Sequence, residues 1–185
     1  MSETTGAEIL IGGRIPHHLI SELCAAICRE AISLEWGDAS FQPGSALDLL
    51  NNRVENENVL LLRLCDEQAS WGRFEQLEAF LQQHDIAFDR FTDGKWEFDP
   101  EWVAFRPGNE PVALATNTGW QPVIAATVVV DAMKQLTGAV GDLEQGRVAV
   151  ALTALRLLVQ SLSSEAPRIP PPLESLEIDS TPHPG

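Results

Sequence analysis

The segment Ile86–Gly108, IAFDRFTDGKWEFDPEWVAFRPG, constrains the fold of this chain more than any other stretch. It interleaves aromatic and charged residues, and it contains one strong turn signal at Asp93-Gly94. Alternation with a period of two sends the side chains of a strand to opposite faces in turn. The segment therefore predicts a β-hairpin that lays an apolar face on a core and turns an acidic face outward.

Other segments predict strands and helices around this hairpin. Short apolar runs typical of buried strands occupy Glu8–Gly12 and Val59–Cys65. Apolar residues with helical spacing occur in His17–Ile32 and Trp71–His84. A right-handed crossover would make the first two strands parallel. Pro111–Thr116 is a candidate edge strand that follows the hairpin.

The last third of the sequence predicts two helices and a tail. The helices are expected over Pro122–Leu136 and Asp142–Leu162, with a break at Thr137–Gly141 and Asp142 as an N-cap. Ser163–Gly185 holds six of the 12 prolines of the chain, which favours an extended, flexible segment.

These patterns together predict an α+β fold. We expect a small mixed β-sheet in the order β-α-β-α-β-hairpin, followed by a C-terminal helix pair. The predicted organisation is a flexible N-terminus (1–7), one domain (8–164) and a disordered, Pro-rich acidic tail (165–185). Within the domain, 8–108 form the sheet region and 120–164 form the helical pair.

Charge and cysteine content restrict the function classes. The chain of 185 residues has 27 acids and 12 bases, for a formal net charge of −15. This balance argues against direct binding to nucleic acid or to an anionic membrane, because both need clustered Lys and Arg. It favours a basic protein partner. Three cysteines without an export signal predict reduced thiols and a cytoplasmic location.

Two sets of residues are candidates for binding. The first set would meet a partner and consists of the hairpin acids with one tryptophan: Asp89, Asp93, Glu97, Asp99, Glu101 and Trp102. The second set is Gly12, Gly13 and Arg14, which lie between a predicted strand and a predicted helix N-terminus, where backbone N–H groups can bind an anion. A tight turn is the simpler interpretation of this glycine pair.

The cysteines do not predict a metal site. Cys24 and Cys28 share one helix face, but the second ligand pair that zinc normally requires is missing. We therefore expect these thiols to belong to the core, and we expect no catalytic residue, metal or cofactor.

The sequence predicts a non-enzymatic interaction or regulatory protein. It would dock a partner through the acidic hairpin, the C-terminal helices, or both. One alternative is an acidic inhibitor that imitates nucleic acid and occupies a basic groove. Another is a metal-dependent enzyme that uses clustered carboxylates. Self-association of the chain through the two late helices is also open.

Overall fold

A computed structural model of the protein describes residues 3–95, 99–165 and 168–179. The chain divides into two compact units. The first, which we call the sheet unit, contains the described residues of 1–121 and 170–185. The second, which we call the helical hairpin, is 122–169. The predicted α+β class is confirmed.

The sheet unit is built on an antiparallel sheet. Its strands are β1 (Thr4–Ile11), β3 (Arg53–Asn56), β4 (Val59–Ser70), β5 (Phe88–Thr92), β6 (Glu101–Phe105) and β7 (Val112–Ala115). Their order across the sheet is β3-β4-β1-β5-β6-β7, and every neighbouring pair is antiparallel. Two short strands, β2 (Arg14–Ile15) and β8 (Glu177–Ile178), pair in parallel beside it.

The predicted parallel crossover is wrong, because β1 and β4 run antiparallel. No predicted element covers β3, which lies in the polar stretch NNRVENEN of 51–58. A turn at Glu57 and Asn58, both with positive φ, reverses the chain from β3 into β4. This extra reversal changes the direction in which β4 meets β1.

The predicted hairpin is confirmed as β5 and β6, which pair with Phe91 opposite Trp102. The predicted strand at 96–98 lies outside the described residues. The candidate edge strand is also confirmed, since β7 is the last strand of the sheet.

Three helices and one short 3-10 helix complete the sheet unit. These are the 3-10 helix His17–Leu19, α1 (Ile20–Glu30), α2 (Ala46–Asn51) and α3 (Glu75–Gln83). Helices α1 and α3 pack against each other. Their apolar stripes and the inward side chains of the sheet share one core, which includes Ile9, Leu23, Leu64, Leu77 and Phe88.

Both ends of the chain are more ordered than the sequence predicted. Strand β1 begins at Thr4, inside the segment expected to be flexible, and Ala7 is buried. The prediction of a disordered tail is wrong for 173–179. Leu173 packs with Leu10 on one sheet face, and Leu176 joins the main core. These two leucines compensate for ordering a proline-rich segment, because buried apolar area offsets the lost chain entropy.

The helical hairpin consists of α4 (Ala126–Glu144) and α5 (Val148–Glu165), which pack against each other. The predicted break at 137–141 is wrong, because α4 continues through it. Gly138 and Gly141 weaken a helix by only about 1 kcal/mol each relative to alanine, which packing can override. The chain instead turns at Gly146, where φ is +75°, and Arg147 pairs with Asp142.

Candidate interaction surface

Arg106 and the buried Arg90 neutralise two of the predicted hairpin acids. Asp89 is buried and receives two hydrogen bonds from the Arg106 guanidinium, at 2.9 and 3.1 Å. Glu101 accepts a 2.8 Å hydrogen bond from Arg90. Strand pairing explains the first contact, since Asp89 lies opposite Ala104, two residues before Arg106. Asp89 therefore does not present its carboxylate to solvent.

Arg90 is the centre of a larger ion cluster. Its side chain is 3 % exposed, and its Nε lies 3.1 Å from a carboxylate oxygen of Glu78 on α3. It also donates to the carbonyl of Gly72 at 2.6 Å. This cluster connects α3 to the β5–β6 hairpin. Its charges therefore stabilise the interior of the sheet unit.

The described ones among the other predicted partner-binding residues differ in exposure. Asp93 and Asp99 are exposed, while Glu97 lies outside the described residues. Trp102 is half-buried, and its ring stacks on Phe91 with the centroids 5.8 Å apart. The ring of Trp120 also stacks on Phe91, with the ring centroids 5.0 Å apart. Trp102 thus belongs to a small aromatic layer of the sheet unit.

The predicted anion site is occupied by the chain itself. The Gly12 N–H donates to the Ala87 carbonyl, and the Gly13 N–H donates to the Glu174 carbonyl. Arg14 forms exposed ion pairs with Glu177 and Asp179. A Cβ on Gly12 would lie 2.3 Å from the Glu174 carbonyl oxygen. The glycine is therefore explained by the close approach of the C-terminal segment, and the expectation of an anion site is corrected.

Two of the three thiols, those of Cys24 and Cys65, are buried in environments that suppress reactivity. Burial is the main cause that raises the pKa of Cys24, and it raises the pKa of Cys65 to about 11. Within the described residues, no three His, Cys, Asp or Glu side chains are grouped as a metal site would require.

Alkylation of Cys65 should be slow in the folded protein. A pKa of about 11 instead of 9.0 lowers the thiolate fraction at pH 8 by about 100-fold, and the thiolate is the reactive form. We expect iodoacetamide to modify Cys65 at least about 100-fold faster in denaturant than in native buffer, measured by peptide mass spectrometry. Equal rates in the two conditions would contradict a buried, protonated thiol.

Large apolar side chains are exposed mainly on the helical hairpin. A stripe along α4 consists of Val129, Met133, Leu136, Val140 and Leu143, and a stripe along α5 contains Val148, Leu152 and Val159. We call these eight residues the apolar helical face. Met133 and Val159 are each 64 % exposed. An exposed apolar area of this extent on a folded unit is typical of an interaction surface.

The two stripes lie on the same side of the hairpin. In each helix, the residues of the stripe come one position after residues that face the other helix. Val140 comes directly after buried Ala139, and Val159 comes directly after buried Leu158. One position is a rotation of about 100° around a helix axis. Because α4 and α5 run in opposite directions, equal rotations carry both stripes to one side.

The opposite side of the hairpin is polar along α4, whereas α5 exposes Val150 and Leu157 there, each one position before a buried residue. A groove of about 350 Å³ there is lined by residues from the start of α4 and the end of α5, which confirms their antiparallel arrangement. Its polar lining comes from Thr127, Asp131, Gln135 and Ser161. The longer run of exposed apolar side chains therefore lies on the side of the apolar helical face.

The two units differ strongly in net charge. The segment 122–169 contains four acids and four bases, so the remainder of the chain carries the whole formal charge of −15. A basic partner would be attracted to the sheet unit, whereas the apolar helical face suits a neutral surface. Within the described part of the chain, no helix has both the length and the apolar character needed to cross a bilayer.

No protein-family model, curated protein or solved structure matches this chain. The class of protein is therefore argued from the fold and its surfaces. The sequence patterns predict the C-terminal helices as a docking surface, but they single out no residue of the apolar helical face. The signal was present in the spacing of Val129, Met133, Leu136, Val140 and Leu143, which an amphipathic core helix would share.

Proposed function

We propose that the protein is a non-enzymatic interaction protein that docks a protein partner through the apolar helical face. The single observation that supports this proposal is the exposure of eight large apolar side chains on one side of the helical hairpin. Burying such side chains is worth about 25 cal/mol for each Å² removed from water. A partner that covers the face would therefore gain a large favourable free-energy term.

The acidic surface remains a second candidate, as a docking site for a basic partner or as a nucleic-acid mimic. The concentration of the net charge of −15 outside the segment 122–169 supports it. The hairpin acids contribute less negative charge to this surface than their number indicates, since Asp89 and Glu101 are paired with arginines. Among the described residues, no observation favours a metal-dependent enzyme.

Affinity purification from the native host with three tagged baits tests the proposal. The baits are the unaltered chain, a face variant (Met133→Glu with Leu152→Glu) and an acid variant (Asp93→Asn with Asp99→Asn). We expect a partner, which can be the untagged copy of this chain, to co-purify with the first and third baits only. Charge on an apolar interface is costly, because the carboxylate would have to leave water. Loss of the partner from the acid variant alone would favour the second candidate instead.

A further inference from the structure

The helical hairpin has too small a core to account for its own order. Among its described residues, only Ala139, Ala151 and Leu158 are buried, and two of these are alanines. A unit of this size normally needs a further apolar layer, a metal or a disulfide for stability. The apolar helical face is the side on which such a layer would add most.

The apolar helical face has the residue spacing of a helix-bundle seam. Along α4 the stripe repeats at intervals of four and three residues, from Val129 to Leu143. Along α5 the intervals are the same from Val148 through Leu152 and Leu155 to Val159. A repeat of 3.5 residues keeps side chains facing a neighbouring helix over several turns. The matching layer is therefore expected to consist of helices.

A second copy of the helical hairpin has the properties that such a layer requires. The segment 122–169 has no net charge, so contact between two hairpins brings no excess of like charge together at the interface itself. The described residues of the sheet unit expose few large apolar side chains, namely Trp36, Leu47, Leu60 and Trp71. These are scattered along the sequence and offer no comparable stripe.

The size of the face approaches what a stable dimer requires. Helix α4 has 19 residues and is about 28 Å long, and two helices of about 10 Å diameter give a flat footprint of roughly 560 Å². The relief of the side chains adds to this area. Stable interfaces bury about 800 Å² on each partner. A hairpin-to-hairpin contact therefore approaches a standard interface.

We infer that two copies of this chain pair through the apolar helical face, so that the two hairpins form a four-helix bundle. The inference rests on the proposed function and names the partner as the chain itself. The polar groove at Thr127, Asp131, Gln135 and Ser161 then faces outward on each hairpin. In antiparallel bundles of this kind, left-handed packing at about 20° brings such stripes together.

Sedimentation of the full chain from about 0.1 to about 100 µM tests the inference, in a range where bundle dimers associate. We expect a mass of twice 20.2 kDa at the upper concentrations. The face variant, Met133→Glu with Leu152→Glu, should weaken the dimer by at least about 30-fold. The matched control, Thr137→Glu with Gln160→Glu, adds the same charge at exposed positions outside the face and should remain a dimer.

A second measurement covers the case in which the face variant does not fold. In a Cys28→Ser background, a thiol at Met133→Cys should react with maleimide more slowly as protein concentration rises, while one at Lys134→Cys should not change. A monomer throughout the range, or a dimer that the folded face variant retains, would overturn the inference. If the chain stays monomeric while a different protein co-purifies with the first and third baits only, the proposed function stands and self-pairing fails.

Discussion

Replacing Arg90 by leucine is expected to lower the free energy of unfolding by about 3–5 kcal/mol, the cost of breaking one side of a buried ion pair. Arg90 is 3 % exposed and contacts Glu78 at 3.1 Å and Glu101 at 2.8 Å. Without the guanidinium, the buried Glu78 carboxylate would lose its cationic partner and keep its hydrogen bond from the Phe74 N–H. The Gly72 carbonyl would lose a donor as well.

Chemical denaturation followed by tryptophan fluorescence measures this loss. The control is Arg14→Leu, which removes an arginine with two exposed ion pairs at 3.4 and 3.5 Å. Exposed pairs contribute about 0–1 kcal/mol, so this control should unfold almost as the unaltered chain does. The double variant Arg90→Leu with Glu78→Leu should recover part of the loss, because no buried charge remains from that pair. Similar effects for Arg90→Leu and Arg14→Leu would show that the cluster is not a structural centre.

Replacing Leu176 by alanine is expected to destabilise the sheet unit by about 2–5 kcal/mol, as for other fully buried leucines. Leu176 is 0 % exposed and belongs to the main core, although it lies in a segment that its sequence marks as a disordered tail. The Leu176 N–H donates to the Leu60 carbonyl at 2.7 Å, and the Arg53 side chain donates to the Leu176 carbonyl at 2.8 Å. The cost arises from lost apolar burial and from the cavity left behind.

The matched control for this prediction is Ile169→Ala, which removes an apolar side chain that is 65 % exposed. Exposed substitutions away from special features usually change stability by less than about 0.5 kcal/mol. Thermal and denaturant unfolding of both variants should therefore differ clearly. If Leu176→Ala were as mild as Ile169→Ala, the C-terminal segment would not be part of the folded sheet unit in solution.

Predictions from the sequence succeeded where the pattern was local. Apolar periodicity predicted α1 and α3, and alternation with a turn signal predicted the β5–β6 hairpin. These features depend on neighbours along the chain, so a short window contains the information. The predictions of the parallel crossover and of the helix break at 137–141 failed. In each case packing overrode a local signal, and a short window of sequence does not show which signal will be overridden.

The candidate sites show the same division. The acids of the hairpin were visible in the sequence, but their pairing with Arg90 and Arg106 depends on strand register and on the approach of α3. The sequence around Gly12 and Gly13 resembles an anion site. In the fold, the Gly13 N–H donates to the Glu174 carbonyl, which comes from the other end of the chain. Such partners are distant in sequence and cannot be read from local composition.

The sequence by itself determined the α+β class, the hairpin and the charge, including the neutrality of 122–169 against the acidity of the remainder. Only the tertiary structure decided that the acids of the hairpin are partly internal, that Leu176 is core, and that the apolar stripes of α4 and α5 share one exposed side. The physical reason is that periodicity identifies an apolar side chain, whereas burial depends on whether another part of the chain reaches it. For Leu176 the sheet unit supplies that cover, and for the apolar helical face we expect a second copy to supply it.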